Sequence, residues 1–451
     1  MYDAPMANTQ PTTKEKKNKS SVRHTRAIQL DRSKRPTVGP PDEKVVERLT
    51  KLIHPATLNQ LAYYHRLGLR ERVLTLPVMV ALVISMIWRE IGSVCELVRI
   101  LEAEGFLWTS PKQVTQQALS ERLRTFPAKL FLRVLLEILP LMQARWRERQ
   151  RPLPADLAWA QAHYTAILTV DGSTLDALLR KVGLLRDAAE HPLAGRITAL
   201  LDLCSRLPQR IWYEEDAEAH DQRFWPRILA ALKAGALLVF DLGYINFTVF
   251  AQLTAHQITF ITRAKSNLAY SIHQVLLHSA RIHDRLIWIG QGADRQLVRL
   301  VEVLYHGQWY RYLTNELDPE RLSAIYVVSL YWQRWRIEDA YKIVKRLLGL
   351  AYFWVGSENG VQLQVWATWI VYAVLVDLTD AVAEALNKPF AALSLEMVYR
   401  GLYHFTQAFH RGHATDPVAY LTAKAKWLGI IKRKRKRSPL ELLDLTNSLG
   451  P

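Results

Sequence analysis

Two aspartates and one glutamate in this sequence stand where carboxylates could serve catalysis. Residues 164–170 and 236–240 have the apolar composition of buried strands, and Asp171 and Asp241 follow them directly. In a sheet flanked by helices, functional sites collect at the carboxyl ends of such strands. A single Asp in this position is more often a turn residue. Two of them, together with Glu338 in a helical segment, form a candidate site of three carboxylates.

These three carboxylates suit one kind of chemistry. A phosphodiester is anionic, so carboxylates can act on it only when divalent cations neutralise their charge. Two Mg²⁺ ions about 3.5 to 4 Å apart, held by Asp and Glu oxygens, can activate the attacking oxygen and stabilise the leaving oxygen. His and Cys ligands are not required. The residue types therefore favour metal-dependent transfer of a phosphodiester.

The glutamate belongs to a segment, residues 331–345, whose pattern predicts one amphipathic helix. At about 100° per residue, Tyr331, Arg334, Glu338 and Lys345 lie within an arc of roughly 60°, and we call these four residues the polar stripe. The opposite side of the helix is apolar and free to pack. For an arbitrary helix the more frequent interpretation is a solvated charged face.

Only one of two neighbouring acids on this helix can be the third carboxylate. Adjacent helical residues point about 100° apart, so both cannot face the same metal pair. Glu338 lies on the polar stripe, whereas Asp339 lies to its side, near Trp332. The helix geometry therefore selects Glu338.

The spacing Tyr-x2-Arg-x3-Glu-x6-Lys of the polar stripe resembles the motif of the insertion-sequence-four family of DDE transposases. The resemblance extends over roughly residues 106–410, and this motif is its most specific part. It implies that Asp171, Asp241 and Glu338 bind two Mg²⁺ ions, which Mn²⁺ can replace. It also implies that water attacks first and that the freed DNA 3′-hydroxyl then attacks target DNA, without a covalent enzyme intermediate.

The same resemblance implies a set of DNA contacts. Tyr331, Arg334 and Lys345 would bind the DNA backbone near the scissile phosphate, with Lys342 as a further candidate. Arg offers a bidentate fork, Lys a mobile point charge and Tyr a hydroxyl on a rigid ring. Family members often carry Arg after the second Asp, whereas this sequence has Leu242 there. Any DNA contact from that Arg is therefore missing at this position.

The expected fold class is α/β, with a ribonuclease H-like catalytic core that a β-rich insertion interrupts and an all-α DNA-binding domain precedes. Helical periodicity supports the all-α part, and four apolar strand patterns follow Asp241, the last three of them in the insertion. The predicted divisions are a disordered basic arm (1–43), the helical domain (44–150), the first part of the core (151–265), the insertion (266–330), the second part of the core (331–410) and a basic C-terminal tail (411–451).

Arg122 and Arg124 are the candidate DNA-binding residues of the helical domain. Residues 110–111 predict the start of one helix, and Thr115 can cap a second short helix in which Ala118, Leu119 and Leu123 face inward. This arrangement is compatible with a helix-turn-helix, and ordinary packing of two short helices is an equal alternative.

Composition points to a polyanionic partner. The chain of 451 residues has a formal net charge of +17 and a pI near 9.8, which favours nucleic acid or an anionic membrane surface. The longest uncharged runs are shorter than the roughly 20 residues that cross a bilayer, so we expect no membrane partner. The two cysteines lack ligand spacing. We expect a reducing prokaryotic cytoplasm and association with the nucleoid.

Three functions remain open at this stage. The first is a cut-and-paste transposase that binds double-stranded DNA, at the terminal inverted repeats of its element and at the target, as a homodimer. The others are a ribonuclease H-like nuclease or resolvase without strand transfer, and a catalytically silent DNA-binding relative. The basic run 432–437 would grip phosphates of any sequence, so we expect deletion after Trp427 to weaken all DNA binding equally.

Overall fold

The computed structural model describes residues 43–433 except 71, 177–192, 218, 293–294, 306, 351–352 and 355–356. Nearly all of the predicted basic arm lies outside these residues, as does the basic run after Arg433. The described chain is a mixed α/β fold. Its helices are α1 (Glu43–Leu58), α2 (Leu61–Arg66), α3 (Leu76–Trp88), α4 (Val94–Ala103), α5 (Gln116–Thr125), α6 (Ala128–Glu148), α7 (Ala155–His163), α8 (Trp225–Ala231), α9 (Phe247–Ala255), α10 (Ala324–Gln333), α11 (Trp335–Lys342), α12 (Glu358–Ala385), α13 (Leu395–His410) and α14 (Pro417–Ala423).

Helix α5 differs in part from its sequence prediction. Thr115 caps it as expected, because its hydroxyl accepts a hydrogen bond from the Ala118 N–H at 3.1 Å. Residues 110–115 precede the helix instead of forming one. The chain there turns back, and the Lys112 N–H bonds the Leu101 carbonyl at 3.1 Å. Ala118 is exposed, so its predicted inward position is wrong.

The long helix α12 is the centre of the helical layer. Helices α1 to α6 and α12 contribute to one hydrophobic core, and ion pairs join them. Arg149, directly after α6, donates to Asp377 at 2.7 Å and to Asp380 at 3.0 Å, which offsets the cost of burying these carboxylates. Among the described helices, α12 alone has the length and apolar composition of a membrane span, and 94% of that window is buried inside the fold.

In the described part of the chain a nine-stranded sheet positions the two candidate aspartates. The order is β3-β2-β1-β4-β5-β9-β8-β7-β6; β1, β4 and β5 are parallel neighbours, and the other neighbours are antiparallel. Helix α9 makes the crossover between β4 and β5. The strands are β1 (Ile167–Asp176), β2 (Leu193–Asp202), β3 (Pro208–Glu214), β4 (Leu237–Phe240), β5 (Thr259–Arg263), β6 (Ser271–His278), β7 (Ile282–Ile289), β8 (Gln296–Tyr305) and β9 (Gln308–Thr314).

Two strand predictions need correction. The segment expected to be an insertion with three strands has four, and β9 pairs with β5, so all four extend the core sheet. The sequence does not predict β6, because most of its residues are exposed and its pattern does not alternate. Strand β1 does not end before Asp171. It continues to Asp176 because β2 pairs with it along this length, with Asp171 opposite Ala199.

The chain after residue 410 is folded further than a tail would be. Helix α14 packs against α12 and α13, Leu428 and Ile430 are buried, and Ile431 forms a β-bridge with Leu393. Deletion after Trp427 would therefore remove core residues and destabilise the fold. A deletion that tests the basic run has to begin after Arg433.

Candidate active site

Strand register brings two of the predicted residues together. The parallel pair β1–β4 is in step from Ile167 opposite Leu237 to Val170 opposite Phe240. The next residue along the chain is a catalytic candidate in both cases, Asp171 within β1 and Asp241 directly after β4. Because parallel strands keep their residues in step, these two carboxylates are neighbours at the carboxyl end of the pair.

The third strand of this parallel set adds a cation that the sequence analysis did not single out. Phe240 pairs with Thr262, so the residues that follow them, Asp241 and Arg263, are neighbours. Arg263 is exposed, and its charge lowers the pKa of the Tyr331 phenol, against the larger effect of burial. The end of β5 was the signal that could have identified it.

The helical segment that carries Glu338 is broken, contrary to the single helix predicted over 331–345. Helix α10 ends at Gln333, α11 begins at Trp335, and Arg334 lies between them. The turn tightens there, because the Arg334 N–H bonds the Tyr331 carbonyl at 3.0 Å and the Arg334 carbonyl accepts from Ile337 at 3.1 Å. A π-helical turn, Ile343–Leu347, then carries the segment to its end. The polar stripe survives, but on three successive pieces of helix.

Arg334 connects the three carboxylates. Its side chain is only 5% exposed. Nη1 lies 3.3 Å from Asp171 Oδ2, and Nη2 lies 3.1 Å from Glu338 Oε1 and 3.9 Å from Asp241 Oδ2. Burial lowers the pKa of the guanidinium, but Tyr331 and the three carboxylates together outweigh burial, so the pKa is raised. Arg334 therefore stays charged and offsets the negative charge of the site.

Asp171 is the most enclosed of the three carboxylates. Its side chain is 20% exposed, against about twice that for Asp241 and Glu338. Burial raises the pKa of Asp171 to about 6, although Arg334 and the Gly172 N–H act in the opposite direction. Ionised Asp171 is thus under strain from desolvation and gains from any cation brought to it.

The other members of the polar stripe have partners inside the chain. The Tyr331 hydroxyl donates to Asp241 Oδ1 at 2.9 Å, and burial, followed by the charge of Asp241, raises the pKa of this phenol. It therefore remains a donor. Lys345 donates through Nζ to the Thr174 carbonyl, whereas Lys342 is exposed. The DNA contacts of these residues stay predictions.

The two neighbouring acids separate as helix geometry requires. Glu338 is joined to Arg334, at the carboxylates. Asp339 is 62% exposed and lies 3.7 Å from Arg336 Nη1, on another side of α11. In this structure only Glu338 shares a partner with Asp171 and Asp241.

A fourth carboxylate, which the sequence pattern did not indicate, lies against the backbone that follows the two aspartates. Asp221 is ion-paired with Arg196. A Cβ placed on Gly172 would lie 2.6 Å from Asp221 Oδ1, and one placed on Gly243 would lie 2.6 Å from Asp221 Oδ2. The backbone after Asp171 and the backbone after Asp241 therefore both lie against the same carboxylate. No local motif marks Asp221, because its role depends on contacts distant in sequence.

Arg122 and Arg124 have structural contacts on the helical layer. Arg122 lies over the Phe126 ring, with its guanidinium carbon 4.8 Å from the ring centroid. Arg124 forms an ion pair with Glu121 at 2.7 Å. Of the two, Arg124 is exposed and Arg122 is half-buried. The proposed DNA contact at this helix stays a prediction.

The donor set fits a hard divalent cation by chemistry, since all three groups are carboxylates. In this arrangement all three carboxylates contact Arg334. Across the described residues, no group of three or more His, Cys, Asp or Glu side chains is arranged to hold a metal ion. Arg334 supplies the positive charge in this arrangement, so a cation would have to displace part of its contacts.

Comparisons with known proteins find similarity to transposases. Residues 190–374 match the family described as Transposase DDE domain, a range that includes Asp241 and Glu338 and begins after Asp171. The protein named "Putative transposase y4zB" from Sinorhizobium fredii is 28% identical over 171 residues, covering 36% of this chain and 47% of the relative. The chain thus spans about half the length of this curated relative. The domain match and the relative together support a DDE transposase.

Among solved structures, the chain is similar to one described as a cryo-EM structure of the piggyBac transposase synaptic complex with hairpin DNA. The identity is 11%, the TM-score is 0.38, and the match covers 88% of this chain and 85% of the other.

Proposed function

We propose that this chain is a DNA transposase of the insertion-sequence-four family that cuts and pastes its element. One observation carries the proposal. Asp171, Asp241 and Glu338, far apart in sequence, all contact the guanidinium of Arg334 beside the carboxyl ends of two parallel strands. Three carboxylates around one cationic group form a strongly anionic centre, and such a centre suits divalent cations and a phosphodiester.

The strand order supports a ribonuclease H-like core within the larger sheet. Strands β3, β2 and β1 form an antiparallel meander, and β4 and β5 continue from β1 in parallel. Two acidic residues on β1 and at the end of β4, and a third on a helix, follow the arrangement that the family resemblance implies. The strands β6 to β9 are then an addition at one edge.

Asp171, Asp241 and Glu338 would hold the divalent cations, with Mg²⁺ as the expected ion and Mn²⁺ as a substitute. When bound, these cations lower the pKa of an attacking water and stabilise the leaving oxygen. Release of Arg334 from the carboxylates frees a bidentate donor for a phosphate. Tyr331, which already donates to Asp241, keeps that carboxylate in one orientation.

The proposed reaction has two displacements at phosphorus. Water attacks the phosphate at the end of the element and displaces the 3′-oxygen of the element strand. That oxygen leaves as a 3′-hydroxyl, and the phosphate stays on the flanking DNA. That 3′-hydroxyl then attacks a phosphate of target DNA and releases a target 3′-hydroxyl. Lys345, Lys342 and Arg263 would supply cationic groups for the backbone of the DNA. The partner is double-stranded DNA at both steps, and a homodimer would hold the two ends.

The proposal is tested with a supercoiled plasmid that carries the ends of the element, incubated with protein and Mg²⁺. Strand-transfer products into a second plasmid are expected. Nicks without joined products would instead indicate a nuclease or resolvase. A gel shift without cleavage in Mg²⁺ and in Mn²⁺ would indicate a catalytically silent relative.

A further inference from the structure

A second polar surface, separate in sequence from the carboxylates, lies in the C-terminal part of the fold. The end of α13, helix α14 and the turn that follows it enclose a cleft of about 640 Å³. Ligand pockets are typically ~300–1,000 Å³. Arg411, Lys424, His413, His404 and Trp427 line this cleft. We call it the C-terminal cleft.

The cations of the C-terminal cleft are available for a ligand. Arg411 and Lys424 are exposed, and among the described residues neither forms an ion pair with a carboxylate. Asp416 is the carboxylate in the described lining, and its Oδ1 accepts from the Ala419 N–H at 2.7 Å to cap α14. The lining therefore carries two fixed positive charges against one negative charge that already has a hydrogen-bond donor, which favours an anionic ligand.

The same cleft presents an aromatic face. Trp427 is 69% exposed, the largest exposure among the large apolar side chains that the structure describes. Its ring meets that of His404 edge to face, at a centroid distance of 5.2 Å, and most of the indole surface stays in contact with water. A large ring in water beside unpaired cations suits a ligand with a flat aromatic part and an anionic part. Nucleotides of an unpaired strand have both parts, a flat base and an anionic phosphate. Their bases stack on aromatic rings with little dependence on sequence.

We propose that the C-terminal cleft binds single-stranded DNA, with a base stacked on Trp427 and the adjoining phosphates at Arg411 and Lys424. The proposal rests on the proposed function for the source of the strand, because cleavage at the end of an element supplies DNA ends. Arg411 can grip a phosphate through two parallel hydrogen bonds, and Lys424 adds a point charge.

The phosphate contacts are tested by fluorescence anisotropy with a labelled, mixed-sequence single strand at several salt concentrations. For the double variant Arg411→Gln, Lys424→Gln, the log–log dependence of affinity on salt should flatten by about 1.4, since each phosphate contact on a single strand contributes about 0.7. Lys129→Gln with Lys233→Gln is the matched control, because both lysines are exposed and neither lines the cleft. An unchanged slope, or an equal change in the control, would overturn the proposal.

The stacking contact is tested with a pair of substitutions at one position. Trp427→Leu should weaken single-strand binding about tenfold, which corresponds to about 1.4 kcal/mol, whereas Trp427→Phe should stay within about threefold of wild type. An equal loss for both variants, or a loss on duplex DNA as large as on the single strand, would contradict a stacked base.

These results separate the cleft from the proposed function. If the wild-type protein joins strands in the plasmid assay while the cleft variants bind single strands normally, only the cleft proposal fails. If the cleft variants lose affinity as expected but the wild type cuts no element ends in either metal, only the transposase proposal fails.

Discussion

The carboxylate site and the C-terminal cleft use arginine in opposite ways. Arg334 is buried and has three acidic partners, whereas Arg411 is exposed and forms no ion pair with a carboxylate in the described part of the chain. Burying a charge is costly unless it is paired, so Arg334 is held by its three carboxylate partners. Leaving an exposed cation unpaired costs little free energy, so such a cation can bind a ligand. The first region is thus suited to chemistry and the second to affinity.

The largest effect is expected from a variant that loses catalysis but still binds DNA. Asp171→Asn should reduce cleavage of element ends in Mg²⁺ to the background rate, because an amide is a much poorer ligand for a hard cation than a carboxylate. Binding of end DNA should stay within a few-fold, since the cationic groups remain. Cleavage rates and gel shifts measured on the same preparations check both parts. Cleavage above about a few per cent of wild type would remove Asp171 from the site.

The support under the site gives the next largest effect. In Gly243→Ala the new Cβ would lie 2.6 Å from Asp221 Oδ2, so the loop after Asp241 or the Asp221–Arg196 pair has to move. We expect a stability loss of about 1–3 kcal/mol and slower cleavage.

Two controls sharpen this test. Gly92→Ala should be harmless, because a Cβ there meets no atom within 4 Å. Adding Asp221→Ala to Gly243→Ala removes the clash, so the two changes should be strongly non-additive in denaturant unfolding. Additive effects would show that Gly243 does not rest on Asp221.

Asp171 should also set part of the dependence of stability on pH. Its folded pKa of about 6 exceeds the unfolded value of 3.8, so the folded state holds this proton more tightly. The contribution of Asp171 to the free energy of unfolding is fully present below pH 3.8 and is lost as the pH rises through about 6. In a chelating buffer Asp171→Asn should therefore be more stable than wild type above pH 6, by roughly 1–3 kcal/mol, with the difference vanishing near pH 4. Lower stability of the variant at pH 7 would contradict the dominant effect of burial.

The smallest effect is expected from the basic run. A chain that ends at Arg433 keeps the buried Leu428 and Ile430 and loses four further cations. Affinity for duplexes of any sequence should fall by the same factor and depend less on salt. A loss confined to element ends would mean that this segment reads sequence.

The sequence indicated the local geometry of the candidate site better than its long-range contacts. Asp171 and Asp241 follow apolar runs, and the 100° periodicity separates Glu338 from Asp339. The contacts of Arg334 could not be predicted in this way, because two of its three carboxylate partners, Asp171 and Asp241, come from segments distant in sequence. The position of Asp221 could not be predicted for the same reason, since it lies against glycines on two other segments.

Elsewhere in the fold the limits have similar causes. The apolar composition of β1 and β4 predicts them as buried strands, whereas β6, which is exposed at the edge of the sheet, has no such pattern. Residues 428–431 look like part of a basic tail because their neighbours in sequence are charged. Leu428 and Ile430 are nevertheless buried, and sequence order does not reveal the β-bridge between Ile431 and Leu393 that joins this segment to the fold.

The central claim is that Glu338, and not its neighbour Asp339, completes the carboxylate site. The most direct measurement is the cleavage rate of element ends by Glu338→Gln and Asp339→Asn, side by side, in Mg²⁺. Glu338→Gln should not cut, while Asp339→Asn, which changes an exposed side chain beside Arg336, should keep most of the wild-type rate. Both variants should still shift end DNA in a gel. If Asp339→Asn is inactive and Glu338→Gln still cuts, the proposed site is wrong.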